Sequence, residues 1–187
     1  MKTITLIRHA KSSWKEPMLQ DMDRPLNSRG QANAVMMGER LYFQQVHSQQ
    51  VIPKKNVPTK IYSSPAVRAE ETAHLMSESL RVSAGDIELV PSLYTFNYEE
   101  LLEWVRGLNR DEDNVFLVCH NPAITDLFNF FTLFNLEKIP TCGIAILELG
   151  VADWRQVGAG MAKVKHYDFP KKDTPKNNSA SKNVSTG

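Results

Sequence analysis

The sequence predicts a three-layer α/β/α fold with a mostly parallel central sheet, and three observations carry that expectation. Short, continuously apolar runs recur along the chain, segments of helical period fill the gaps between them, and the runs end in polar or turn-forming clusters. Continuous apolar runs of this length suit strands covered on both faces. Strands that alternate with helices imply crossover units and hence a parallel sheet.

The first run, residues 3–7, is rich in β-branched side chains and stops at Arg8-His9. A helix opening near Ser28 or Gly30 follows, because Ala34, Met37, Gly38 and Leu41 fall at i, i+3, i+4 and i+7 on one face. Residues 44–59 carry four glutamines and two prolines without a clear period, and read as a solvated loop that lengthens the first crossover. The second strand, near residues 60–62, ends at Ser63-Ser64-Pro65, and Ala69, Ala73, Met76 and Leu80 then form a helical stripe. A third strand at 87–90 stops before Pro91 and is followed by a helix carrying Tyr98, Leu101, Leu102 and Val105 on one face. The fourth, 115–119, leads into His120-Asn121-Pro122, with Pro122 where a first helical turn begins. Ile124, Leu127, Phe128 and Phe131 continue that helix; a fifth strand spans 143–149 and a weaker run 162–167. No internal repeat is visible.

A chain of 187 residues suits one domain, assigned to residues 1–169, followed by a flexible basic tail at 170–187. The tail holds a single valine and no aromatic residue, so it has too little apolar area to offset its ordering entropy. Whole-chain charge is near zero, with 22 basic and 21 acidic residues giving +1. The tail's four lysines and one aspartate give it +3, so residues 1–169 carry −2. That balance, with dispersed Lys and Arg and no stacking motif, excludes a nucleic-acid binder. Cys119 and Cys142 are too few for a disulfide framework and read as free, buried thiols. No apolar run approaches a membrane span, and the stretch Ile4-Thr5-Leu6-Ile7 is cut off at once by Arg8-His9, unlike a secretory peptide. The expectation is a cytoplasmic protein. No metal-binding or P-loop motif appears, so neither a metal nor another cofactor is expected.

Ligands of open parallel sheets bind at the carboxyl ends of the strands. Those ends carry Arg8-His9, Ser63-Ser64-Pro65-Ala66-Val67-Arg68 and His120-Asn121, which gathers two arginines and two histidines at one sheet edge. The combination suits phosphoryl transfer, where charge is spread over three equatorial oxygens and catalysis is mostly positioning and charge stabilisation. Arginine forks grip such oxygens bidentately. A neutral imidazole can attack phosphorus with one ring nitrogen while the other keeps its proton, and a second, protonated histidine can donate to an equatorial oxygen. Lys11, two residues after His9, is a candidate substrate contact. Asp23-Arg24 and Arg29-Gly30 read as a structural loop and helix start, and His47, His74 and His166 as surface or packing residues.

The segments L-I-R-H-A-K-S-S-W, D-R-P-L-N-S-R-G, Y-S-S-P-A-V-R-A-E-E-T-A and V-C-H-N-P resemble the histidine phosphatase superfamily, and within it the SixA-like phosphohistidine phosphatases. The resemblance runs from about Lys2 to Leu149 and implies a phosphoglycerate mutase-like fold. It implies His9 as the residue that becomes phosphorylated, with Arg8, Arg68 and His120 completing the phosphate pocket. Two departures stand out: R-H-A replaces the common R-H-G, and no acid stands where many ester-hydrolysing members carry a proton donor. That stretch reads P-S-L-Y-T-F-N-Y-E-E, with Ser92 at the place sought and Glu99 and Glu100 later, on the expected polar face of the third helix. Alkoxide leaving groups need a proton in the transition state, an aid of roughly 10²–10⁴-fold, whereas imidazole leaves a phosphoramidate far more readily.

The resulting expectation is a metal-independent, monomeric phosphatase that forms a phosphohistidine on His9 and removes phosphate from phosphohistidine in a signalling protein. Its rivals are a small-molecule phosphomonoesterase or mutase, and a phosphate-binding module without turnover.

Overall fold

The structure, a computed structural model, describes residues 1–47 and 60–170, with side chains in the first segment described to residue 44. Most of the segment 44–59 and the tail from residue 171 therefore lie outside the described residues. Six strands form one sheet: β1 (Lys2–Arg8), β2 (Ile61–Ser63), β3 (Ile87–Leu89), β4 (Asn114–Cys119), β5 (Ile144–Leu149) and β6 (Ala162–Asp168). Their order is β3-β2-β4-β1-β5-β6. The first four in that order run parallel, while β5 is antiparallel to both β1 and β6. The helices are α1 (Ser28–His47), α2 (Val67–Leu80), α3 (Tyr98–Arg106) and α4 (Ala123–Thr132).

The expected α/β architecture is the observed one, with a mixed sheet whose antiparallel part comes from the last two strands. One boundary differs. Residues 44–47, read as the start of a loop, continue α1, because glutamine is an adequate helix former that needs no apolar period to extend an existing helix. The expected start of α4 moves by one position, with Pro122 serving as N-cap behind a cis Asn121–Pro122 bond.

Alternation along the central strands builds two cores. Ile4, Leu6, Val115, Leu117, Ala145 and Leu147 pack with the apolar faces of α3 and α4. Ile7, Phe116, Val118, Ile144 and Ile146 pack on the other side with Ala34, Met37 and Leu41 of α1 and Ala69, Ala73, Met76 and Leu80 of α2. A strand period of two sends neighbouring side chains to opposite faces, so a continuous apolar run is what a strand between two helical layers requires. Each fully buried aliphatic or aromatic side chain in these layers contributes about 1.5–3 kcal/mol. At the opposite end from the polar strand ends, Lys2 is buried and its ammonium donates to the carbonyls of Arg110 and Glu112 and to Asp113.

The chain leaving β1 is held against α1 by a close backbone approach. Asn27 N–H donates to the Lys11 carbonyl at 2.9 Å, and Gly30 N–H donates to the Asn27 side chain at 2.8 Å. A Cβ on Gly30 would stand 2.2 Å from the Lys11 carbonyl oxygen. Helix propensity favours alanine over glycine by about 1 kcal/mol, but a clash with fixed backbone outweighs it. Gly30→Ala is therefore expected to lower stability by roughly 1–3 kcal/mol, read as a lower urea midpoint with an unchanged m-value.

Candidate active site

Backbone pairing brings the two histidines together. In the β1–β4 ladder Arg8 is opposite Cys119, and His9 N–H donates to the Cys119 carbonyl at 3.1 Å. His9 and His120 thus leave adjacent strands at the same level, with ring centroids 5.0 Å apart. The chain leaving β2 is tied to β4 by Ser64 N–H donating to the Val118 carbonyl at 3.0 Å. Three residues on, α2 begins, and Arg68 in its first turn is 4 % exposed. The N-termini of α2 and α4 both open at this edge, and their unsatisfied N–H groups add positive potential.

The His9 ring is oriented by its neighbour. Its Nδ1 lies 2.7 Å from the Ala10 carbonyl. A carbonyl can only accept, so Nδ1 carries the proton and Nε2 keeps a lone pair. Nε2 accepts from Arg68 Nε at 3.3 Å. Burial, reinforced by the Arg68 and Arg8 charges, pulls the His9 pKa down to about 4 despite the opposing Ala10 bond. His120 Nε2 is 2.7 Å from Ser64 Oγ, and its Nδ1 is 3.4 Å from Arg68 Nη2, which can only donate. The tautomer follows: Nε2–H donates to Ser64 and Nδ1 is unprotonated. Burial, with the His9 and Arg68 charges, lowers the His120 pKa to about 3. These contacts favour the neutral form of His120, so the donor role open to a protonated second histidine requires it to gain a proton.

Arg68 is the hub. Besides the histidines, it donates to the Asp21 carbonyl and, from Nη2, to Asp21 Oδ2 at 2.7 Å. Tyr94 donates its hydroxyl to the same oxygen at 2.9 Å, and Arg24 reaches Oδ1 at 2.8 Å. Desolvation pushes the Asp21 pKa up, but the hydrogen bonds from Arg68, Tyr94 and Arg24 outweigh it and bring it down to about 2. Asp21 is therefore an anion and holds no proton to give. Arg8 donates to the Ile139 carbonyl at 2.7 Å, as Asn121 does at 3.0 Å, while Arg8 Nε is buried without a hydrogen-bond partner. Five donors on a guanidinium leave Arg8 with capacity for an incoming anion.

The structure brings Arg8, His9, Arg68 and His120 to one pocket, as the strand ends predict. It does not bring Lys11 in by any described contact: the side chain is exposed, and its backbone serves the α1 packing. Ser92, Glu99 and Glu100 are exposed, and Glu100 accepts from Thr95 at 2.6 Å. Arg24 is structural, buried between Ser12 and Asp21 with its guanidinium 3.2 Å from the Trp14 ring centroid. Cys119 and Cys142 are buried free thiols, with burial raising both pKa values. His74 faces Glu70 at 3.9 Å and His166 is part-buried beside Asp168. Asp21, Tyr94 and Ser64 are the members that the sequence did not mark. Ser64 lies within a segment already singled out; Asp21 and Tyr94 sit in aperiodic loops and carried no spacing signal. Among the described residues no group of His, Cys, Asp and Glu could hold a metal ion, and no helix is long and apolar enough to cross a membrane.

Two outcomes follow from these electrostatics. Histidines with folded pKa values of about 4 and about 3 take up protons later than an unfolded histidine at about 6.5. Their contribution is intact above pH 6.5 and is lost as pH falls towards the folded values, because the unfolded chain binds protons first. Asp21, held at about 2, adds a loss of the same sign at lower pH. Urea midpoints should therefore drop between roughly pH 6.5 and pH 4, and His120→Gln should flatten that slope. The second outcome concerns anion binding. Asp21 competes for the Arg68 fork, but its side chain is 47 % exposed and screened. Asp21→Asn should tighten inorganic phosphate by about twofold to fivefold, measured by calorimetry.

Both the fold and the sequence have known relatives. The chain is 25 % identical over 167 residues to an uncharacterized chloroplastic protein of Arabidopsis thaliana, covering 84 % of this chain and 71 % of that one. A SixA phosphohistidine phosphatase candidate from Agrobacterium tumefaciens superposes with a TM-score of 0.70 at 22 % identity, covering 91 % of this chain and 99 % of that one. The protein histidine phosphatase SixA in complex with tungstate gives a TM-score of 0.68 at 19 % identity, over 89 % and 96 % of the two chains. At these identities the structural likenesses establish a shared fold. The family itself is fixed by sequence: the profile of the histidine phosphatase superfamily (branch 1) matches residues 4–101, and the chain belongs to that superfamily.

Proposed function

We propose that the protein is a phosphatase that passes the phosphoryl group through Nε2 of His9, and that its substrate is phosphohistidine on a protein of a cytoplasmic signalling relay. One observation carries the reading. The His9 ring is fixed with Nδ1 donating to Ala10 and an unprotonated Nε2 turned to the arginine cluster, which is the protonation state a nucleophilic imidazole needs. The pocket's carboxylate, Asp21, is ionised, so it offers no acid for an alkoxide leaving group. A protonated phosphoimidazole needs none. The likeness to proteins described as phosphohistidine phosphatases supports the same substrate class.

In this reaction the phosphoryl oxygens take donors from Arg8, including its unpartnered Nε, and from Arg68, which exchanges its bonds to Asp21 and to His9 Nε2 for bonds to the substrate. Nε2 of His9 forms a bond to phosphorus as the N–P bond of the substrate breaks. The electron pair of that bond stays on the departing ring, which leaves as neutral imidazole. The incoming negative charge raises the proton affinity of His120, whose Nδ1 gives up its bond from Arg68, takes a proton from solvent and becomes a donor to an equatorial oxygen; Ser64 holds the opposite nitrogen. Water then attacks phosphorus, the Nε2–P pair returns to His9, and phosphate leaves with the proton of the water redistributed to solvent. The charge is carried by Arg8, Arg68 and His120, so the scheme calls for no metal and for one copy of the chain.

Incubation with a radiolabelled phosphoramidate should yield protein-bound phosphate that is stable to alkali and lost in acid. His9→Ala should remove the label, and a labelled His9→Ala protein would refute the scheme. Arg68→Ala should keep the fold and lower kcat by about 10²–10³-fold, the cost typical of removing one transition-state donor. An ester-specific enzyme would instead favour alkyl phosphates over phosphoramidate, and a binding module would bind phosphate without label or turnover.

A further inference from the structure

The segment after β3 builds an aromatic wall on His120. Tyr94 meets the His120 ring edge-on with centroids 5.4 Å apart, Phe96 lies 5.8 Å from the same ring, and Tyr94 and Phe96 pack edge to face at 5.7 Å. The wall is anchored from behind. Thr95, the buried residue between them in sequence, donates to Glu100 at 2.6 Å and accepts Asn97 N–H at 3.0 Å, and the Asn97 side chain caps α3 by accepting from Glu99 N–H at 2.9 Å. Tyr94 is held a second time by its bond to Asp21. Phe96 thus has a fixed backbone, yet it is 50 % exposed while the histidine it touches is 1 % exposed.

We propose that Phe96, with Tyr94 beside it, is the platform on which the leaving group's ring rests, and that it selects phosphoryl donors whose leaving group is a flat heteroaromatic ring. The inference rests on the phosphatase reading above and specifies its leaving-group side. In-line transfer places the leaving nitrogen on the far side of phosphorus from His9 Nε2. His120 flanks the equatorial oxygens in that geometry, so a ring that touches His120 and opens to solvent borders the outward path. An imidazole there meets Phe96 edge to face or offset-stacked, the preferred aromatic arrangements. The hydroxyl-rich leaving group of a sugar phosphate would surrender water hydrogen bonds against the same surface and regain none from it. Phe96 acts on the leaving group and not on the bond changes at phosphorus, so it is a specificity residue.

The test compares two N–P donors, phosphoimidazole with a heteroaromatic leaving group and phosphoramidate with none, on the full chain; their intrinsic reactivities differ, so the readout is how the ratio changes between wild type and variant. In Phe96→Ala the ratio of their kcat/KM values should fall roughly twofold to tenfold, the range of one aromatic pair, and Phe96→Tyr should restore it. A second readout needs no turnover: the affinity ratio of phenylphosphonate to methylphosphonate should fall in Phe96→Ala by a similar factor. Unchanged ratios, or a Phe96→Tyr protein as impaired as Phe96→Ala, would overturn the proposal. If the wild-type protein neither turns over the donors nor labels on His9, the phosphatase reading fails, and the phosphonate ratio alone decides whether the ring platform exists.

Discussion

The backbone fixing of Arg8-His9 is the constraint on which the rest of the site depends. Arg8 N–H donates to the Gly143 carbonyl and His9 N–H to the Cys119 carbonyl, so the dipeptide is tied to the chain on both sides as β1 ends. Cys142 N–H reaches the carbonyls of both residues, and Ala10 N–H donates to Thr72 at 3.0 Å. Thr72 lies in α2, one turn beyond Arg68, and its hydroxyl donates to the Arg68 carbonyl at 2.6 Å. A single hydroxyl therefore couples the turn after His9 to the helix that carries Arg68. Slipping β1 by one residue against β4 would send every side chain to the opposite face and separate the two histidines. Ile4 and Leu6 are packed in one core and Ile7 in the other, and the ladder pairs Thr3 to Arg8 with Asn114 to Cys119, so close packing on both faces opposes the slip and enforces the register of the site.

The fold was legible because its elements obey local periodicity. The six runs and four helical stripes lie where the pattern places them, and the signal is strongest in β1, β2, β4 and β5, where burial on both faces leaves the strand little freedom to be polar. The misjudged element, the end of α1, is informative. Gln44 begins a stretch with no apolar period, yet the helix continues to His47. Once nucleated, a helix gains one backbone bond per added residue, and no apolar face is required for that. Periodicity finds helices that pack, and says little about turns that protrude.

Site residues at strand ends were equally legible, because a parallel sheet gathers the carboxyl ends of its strands whatever the loops do. Asp21 was not, because nothing local marks it. It enters through a loop between β1 and α1 whose course is set by distant partners: Arg24 against Ser12 and Trp14, and Arg68 from α2. Asp23 and Arg24 read as part of a structural loop, and Arg24 is indeed that loop's internal brace, whereas the carboxylate at the site stands two residues before Asp23. Phe96 escaped for a different reason. Its segment was searched for an acid, and an aromatic ring in an aperiodic stretch has no signature until its contact with His120 is seen.

Electrostatics bind these pieces together. Two guanidinium groups in a half-buried pocket cannot coexist with two protonated imidazoles, because like charges in a poorly solvated space repel strongly. The pocket responds by keeping both histidines neutral and by drawing in Asp21, whose carboxylate and carbonyl occupy the Arg68 fork. The arrangement is self-consistent: neutral His9 retains a lone pair, and neutral His120 accepts from Arg68 through Nδ1. A phosphoryl group brings the negative charge that Asp21 otherwise supplies, and brings more of it. In the proposed reaction it displaces the carboxylate, and the surplus charge is balanced by a proton on His120. The same nitrogen thereby changes from acceptor to donor when the transferring group arrives. A permanently protonated histidine would add a third positive charge beside two guanidinium groups, whereas one that protonates with the anion spares the pocket that repulsion.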